Sequence, residues 1–284
     1  GPAILLVLVE AQQVMAEAAT EYVPAVLSET DVPDLPSGAV RPMAFVGTAS
    51  DGRRLDTLAY AAVTQAKSAV ADGAPAAVAL DDSGAWLDLM ARLQVADAAR
   101  QAVSVMTASR KNLGGTVRVL NPPSCQRCAI LAGRWYRWSQ GFDRHPRCDC
   151  VNLPSRNESW ARSEGFITDP MDAYRAGQIK DLTAAQIKAL SEGADIGRVV
   201  NAYRGMSTTA TRRPLATKQR RYGPGKSPEP AVLPGMPDLL ADIRAMTRRP
   251  TETGGLLTPE GIYREANGDR DKAIRLLREW GYID

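Results

Sequence analysis

The sequence predicts an α+β protein, predominantly α-helical, with a small Cys/His-rich β-hairpin element near its middle and an extended Pro-rich C-terminal arm. Three observations predict it. Alanine is abundant, and apolar residues recur at helical spacing through the first third of the chain. All four cysteines and the only histidine fall between Cys125 and Cys150, beside two short alternating segments. Prolines 214, 224, 228, 230, 234, 237 and 250 then break any long element. Four regions follow: 1–115, an N-terminal helical region; 116–206, a core with the Cys/His cluster; 207–255, a basic Pro-rich linker or arm; and 256–284, a C-terminal helical tail.

In chain order, residues 3–29 read as a helix through Leu5, Leu8, Val9, Val14, Met15 and Ala18, with Pro24 expected to kink or end it. Residues 30–52, rich in proline and glycine, read as a long surface loop. A helix is expected from Leu55 to Ala71, stopped by Gly73. Another runs from about Ala85 to Ser109, with Trp86, Leu89, Leu93, Ala96, Arg100 and Val103 on one stripe, before Gly114-Gly115 ends the region. Residues 116–120 suit a short strand and residues 134–138 a second. Downstream, residues 172–176 form a helical turn. Thr183 and Gln186 make a capping box for a helix ended by Gly193, and residues 199–204 continue as helix or turn. A small helix near residues 239–246 interrupts the arm. In the tail, Thr258 and Asp269 each cap a short helix, the second ending at Gly281.

Composition limits the function classes. The chain has 284 residues, 44% hydrophobic and 24% charged, with a net charge of +3. Those values are ordinary for a globular protein and do not by themselves imply a nucleic-acid partner. The apolar run 3–9 is halted by Glu10, short of the ~20 residues that a membrane span needs. Gly1-Pro2 puts no basic residue before it, as a signal peptide would, and reads as a trimmed or engineered start. The cysteine pattern is not that of a disulfide-stapled small domain, which points to synthesis in a reducing cytoplasm.

Chemistry concentrates in Cys125-Gln-Arg-Cys128 and His145-Pro-Arg-Cys148-Asp-Cys150. Thiolates and an imidazole this close suit a structural zinc ion. Five donors compete for four places, the favoured set being Cys125, Cys128, Cys148 and either His145 or Cys150. A Cys-x-x-Cys turn sets two sulfurs about 3.7 Å apart, matching tetrahedral Zn–S bonds. Full coordination leaves no place for water and argues against hydrolysis. The alternatives are reduced thiols without metal, or disulfides such as Cys125–Cys150. Trp135, Tyr136 and Trp138 are expected to form a minicore beside this knuckle, with base stacking the alternative.

Arg212, Arg213, Lys218, Arg220, Arg221 and Lys226 form a basic stretch without an acidic residue. Such an arm can bind phosphates without sequence preference, or merely stay solvated. The tail offers Ile262, Tyr263, Ile274, Leu277, Trp280 and Tyr282 as an apolar face, either for docking or for packing on its own domain. Enzyme signatures are sparse. A Walker loop and a Gly-x-Ser-x-Gly elbow are absent. One histidine excludes His-Glu-x-x-His, and a serine triad would need His145 as base. A cysteine nucleophile paired with His145 is the residual enzymatic option.

The stretch Pro-Pro-Ser-Cys125-Gln-Arg-Cys128-Ala-Ile-Leu-Ala-Gly133-Arg, followed by Gly141-Phe-Asp-Arg-His-Pro-Arg-Cys-Asp-Cys150, resembles the MuF-like (phage Mu protein F-like) minor head proteins of tailed actinobacteriophages. Residues 44–53, 193–201 and 257–263, with Leu276-Leu and Gly281-Tyr-Ile283, resemble further segments of that family in the same order. The resemblance implies a non-enzymatic minor capsid protein inside the virion, made in the bacterial host cytoplasm. It implies association with the portal or major capsid protein; contact with packaged double-stranded DNA, without sequence preference, is expected of the basic arm, and no membrane partner is expected. Its role would lie in head morphogenesis, DNA packaging and ejection. Some relatives are fused to a capsid maturation protease or a toxin. A virion enzyme and a zinc-containing DNA-binding protein are therefore the alternative classes.

Overall fold

The computed structural model describes residues 2–141, 144, 148, 150–202 and 257–284. These are mostly helical with a small sheet, an α+β arrangement. His145, the basic arm and the small helix expected near residues 239–246 lie outside the described residues.

Two long helices form the frame: α1 (Pro2–Glu29) and α3 (Ala76–Ala108), with α2 (Asp56–Ala71) packed on α3. Small residues make the close approach: Ala16, Ala19, Val23 and Leu27 of α1 share one buried cluster with Ala98, Ala102, Val105 and Met106 of α3. Pro24 does not end α1, which runs on to Glu29. An interior proline costs about 3 kcal/mol. Burial of Val23, Val26 and Leu27 around it offsets that, at about 1.5–3 kcal/mol for each large side chain.

α3 begins at Ala76, earlier than the expected Ala85. Asp81, Asp82 and Gly84 are weak helix formers, yet the buried Ser83 donates its hydroxyl to Ala62 O at 2.6 Å, fastening this turn to α2. The buried face of α3 follows Ala79, Ser83, Gln94, Ala98 and Ala102, whereas Trp86, Leu89, Leu93 and Arg100 of the expected stripe are only half-buried. Large apolar residues drew the sequence reading; the close α1–α3 contact selected small ones.

Residues 30–52 are not a surface loop throughout. A 3-10 turn at Pro42–Phe45 presents buried Phe45, and Val46 is buried beside it. Gln12, itself buried on α1, holds the next stretch, accepting from Gly47 N and donating to Thr48 O, each at 2.9 Å. Counted from Ala3 to Glu29, α1 is long and apolar enough to cross a membrane by length and composition, so Glu10 does not bound the apolar segment; 28% of its most apolar window is buried in the fold.

The sheet is antiparallel in the order β3-β1-β4, from β1 (Gly115–Val119), β3 (Trp135–Arg137) and β4 (Val151–Ser155). The first two match expectation within a residue or so. β4 was not foreseen; it occupies an edge, where Pro154 withholds no needed donor. A second, parallel pair joins β2 (Ser124–Cys125) to β5 (Ile179–Lys180). Gly114 and Gly115 do more than end α3. A Cβ on Gly115 would lie 2.0 Å from Tyr136 O, and one on Gly114 2.3 Å from Arg156 O. Gly115→Ala is therefore expected to cost about 3 kcal/mol, the upper range for overpacking, measured as a shifted urea midpoint.

Short helices follow: α4 (Gln126–Ala129), α5 (Glu158–Ser163), α6 (Pro170–Arg175), α7 (Ala184–Ser191) and α8 (Ile196–Asn201). The Thr183–Gln186 capping box is present on α7. In the tail, α9 (Pro259–Ala266) and α10 (Arg270–Glu279) carry the caps read from sequence, Thr258 and Asp269. Their apolar face is buried in the fold itself: Ile262, Tyr263, Ile274, Leu277 and Tyr282 join the cluster made by α1 and α3.

Candidate metal centre

β1 leads into the site, and contacts on two sides fix its parts. Ser124-Cys125 pairs with β5, which ties the Cys-x-x-Cys turn to the downstream helices. Gln186, buried through its capping box, donates to Gln126 Oε1 at 2.6 Å, and Gln126 donates to Asp181 O at 3.1 Å. On the other side, Arg100 of α3 donates to Cys148 O at 2.6 Å while paired with Asp97 at 3.0 Å. Arg144 donates to Cys150 O at 3.0 Å and also bonds Asn152 Oδ1. The Asn152 carbonyl in turn accepts from Tyr22 at 3.2 Å, whose phenol is pushed up to about 12 by burial.

Cys128, Cys148 and Cys150 come together here, 0%, 6% and 2% exposed, with their sulfurs all within 4.8 Å of one another. Cys128 Sγ lies 3.6 Å from Cys148 Sγ, close to the edge of a tetrahedral zinc–thiolate site, about 3.7 Å. Three buried cysteines so placed can hold a metal ion. No disulfide joins the four cysteines, so the disulfide alternative is not what the structure has. Cys125 packs against the triplet, half-buried, and its sulfur accepts from Cys128 N at 3.4 Å, capping α4.

Without a bound ion, the electrostatics of the site favours neutral thiols. Hydrogen bonds with Cys128 and Cys148, and then burial, push the Cys150 thiol well above its ordinary range, so the group would stay protonated unaided. A divalent cation reverses that balance, because a coordinating thiol gives up its proton. Arg118 sits in the same place, 1% exposed, its guanidinium 3.6 Å from Cys148 Sγ and 3.9 Å from Cys128 Sγ. Burial works against its charge, yet contact with Cys150 and the other sulfurs raises its pKa above the ordinary arginine value. Arg144 reaches Cys148 Sγ at 3.8 Å; burial and then the charge of Arg100 lower it to about 10, so it remains a cation at neutral pH. A thiolate–metal group carries net negative charge, and these cations sit where that charge would develop.

Sequence reasoning missed Arg100, Arg118 and Arg144. In Thr-Val-Arg-Val an arginine reads as the solvent face of an alternating strand, yet residues 115–118 of β1 are all buried, so both faces of the strand are covered. The one available signal was Arg100 on an otherwise apolar helix stripe. Trp138 does not belong to a knuckle minicore. It is buried in the helical core, edge-on to Tyr263 at 5.6 Å and beneath Arg270 at 4.8 Å. Leu120 and Cys125 are what pack against the thiols.

Comparison of the chain with protein-family models, curated proteins and solved structures found no match.

Proposed function

We propose that this chain is a MuF-like minor head protein of a tailed bacteriophage, acting structurally in capsid morphogenesis at the portal, and that its cysteine centre holds zinc. The observation that carries the reading is the buried Cys128–Cys148–Cys150 group, formed from the two halves of the motif on which the family resemblance rests. A fourth ligand comes from Cys125 or His145. The zinc would act as a staple between the Cys-x-x-Cys turn and the segment leading into β4, with no position left open for substrate. Thiols this buried are poor nucleophiles, which favours a structural role over a virion protease.

Two further features fit the same role. Ile4, Leu6, Val7 and Val14 remain exposed on α1, an apolar surface that a portal subunit can cover. The arm with Arg212, Arg213, Lys218, Arg220, Arg221 and Lys226 supplies charge for packaged DNA. Co-sedimentation with purified portal rings tests the proposal, with cross-links from Lys272 and Lys218 to locate neighbours in particles. Binding to portal, and cross-links to portal or major capsid protein, are expected. A chain absent from particles and indifferent to portal overturns the reading. For the arm, Arg220→Glu with Arg221→Glu is expected to weaken duplex binding in a gel-shift series at rising salt; unchanged binding removes the arm as a contact.

A further inference from the structure

A shallow cleft of about 480 Å³ is lined by Lys111, Arg137, Arg156 and Arg270 together with Trp135 and Trp138, and by none of the cysteines. Among its lining residues Asp271 is the single acid, and it is already engaged by Lys111 at 3.0 Å. Arg137 on β3 and Arg156 just after β4 are exposed, with side chains in no ion pair among the described residues. Arg270 is a fixed charge: it donates to Arg110 O at 2.7 Å and Leu113 O at 2.6 Å, and lies over the Trp138 ring. Burial, and then the charge of Arg137, lower its pKa to about 10, a sign that the cations here repel one another.

Local packing holds this geometry. Gly114 N donates to Arg156 O at 2.8 Å and Gly114 O accepts from Trp138 N at 3.0 Å, so one residue sets both rims. The missing Cβ atoms of Gly114 and Gly115 leave room for the Trp135 ring, which a Cβ on either would approach to 3.3 or 2.9 Å. Three guanidinium groups at one cleft, Arg270 fixed and Arg137 and Arg156 exposed, suit a chain of phosphates, since guanidinium matches phosphate geometry and several neighbouring charges reward a polyanion over a single ion.

We infer that this cleft is a phosphate-backbone site on the folded body, a second contact for double-stranded DNA separate from the basic arm. The cleft's charge points to a polyphosphate; that this is duplex DNA rests on the phage-head reading above. The test is anisotropy titration of full-length protein against a labelled duplex of arbitrary sequence over a salt series. Wild type is compared with Arg137→Glu/Arg156→Glu, each also in an Arg220→Gln/Arg221→Gln background. The double reversal is expected to lower affinity at least tenfold at low salt in both backgrounds and to reduce the log–log salt slope by about 2, one for each phosphate that is no longer neutralised. Arg137→Lys/Arg156→Lys should restore most of the binding. Unchanged affinity and slope, with thermal unfolding intact, overturn the inference. So does saturation of the cleft by inorganic phosphate at constant ionic strength while duplex binding ignores the reversal, which would make it a small-anion site.

Discussion

Deleting residues 257–284 is expected to abolish cooperative unfolding of the helical body. Ile262, Tyr263, Ile274, Leu277, Tyr282 and Ile283 are all buried in one cluster with Val23, Leu27, Phe45, Ala102 and Met106. Each large apolar side chain contributes about 1.5–3 kcal/mol by burial. Their sum is of the order of the whole stability of a typical domain, about 5–15 kcal/mol. Polar ties go with them. Arg41 N donates to Tyr282 O at 2.9 Å and Asp284 N to Ala39 O at 3.1 Å, closing the tail onto the segment that carries Phe45. Arg278 bonds Ser37 O as well. The milder Leu277→Ala should cost about 2–5 kcal/mol, depending on how far the cavity collapses. Thermal unfolding followed by circular dichroism reads both. A truncated chain that melts as sharply as the full one would make the tail an accessory rather than part of the core.

Arg118→Met is the second large effect, and its size depends on what the cysteines are. If Cys128, Cys148 and Cys150 are thiolates around a divalent ion, the guanidinium offsets buried negative charge. Breaking such a pairing costs about 3–5 kcal/mol. With protonated thiols the loss is ordinary packing and weak sulfur contacts, about 1 kcal/mol. The substitution should therefore be markedly more damaging in metal-loaded protein than after chelation. That difference is a coupling energy between Arg118 and the metal, readable from urea midpoints in a four-corner cycle. Equal costs with and without chelator would separate Arg118 from the metal.

How far the sequence carried depended on whether a feature was local. The Thr183–Gln186 box and the Thr258 and Asp269 caps were legible because their hydrogen bonds close within four residues. So were β1 and β3, whose alternation survives in the chain itself. The early start of α3 was hidden: Gly84 and two aspartates argue against helix locally, and only the Ser83 bond to α2 favours it. β4 was hidden because Val-Asn-Leu-Pro-Ser lacks strand character and is extended by its ladder to β1. At the site, the residue types were plain and the partners were not. Concentrated cysteines marked a candidate metal site, but which of them meet is set by the bond from Arg100 to Cys148 O and by the β2–β5 pair. Buried Arg118 is the clearest loss, since burial of a central strand is a property of its neighbours.

Metal content decides the central claim most directly. Protein purified without added zinc, and assayed by mass spectrometry of the metal beside its Cys128→Ser variant, is expected to carry about one zinc per chain, with the variant carrying almost none and melting lower. A wild-type ratio near zero, with a melting curve unmoved by chelator, would contradict a metal staple at Cys128, Cys148 and Cys150.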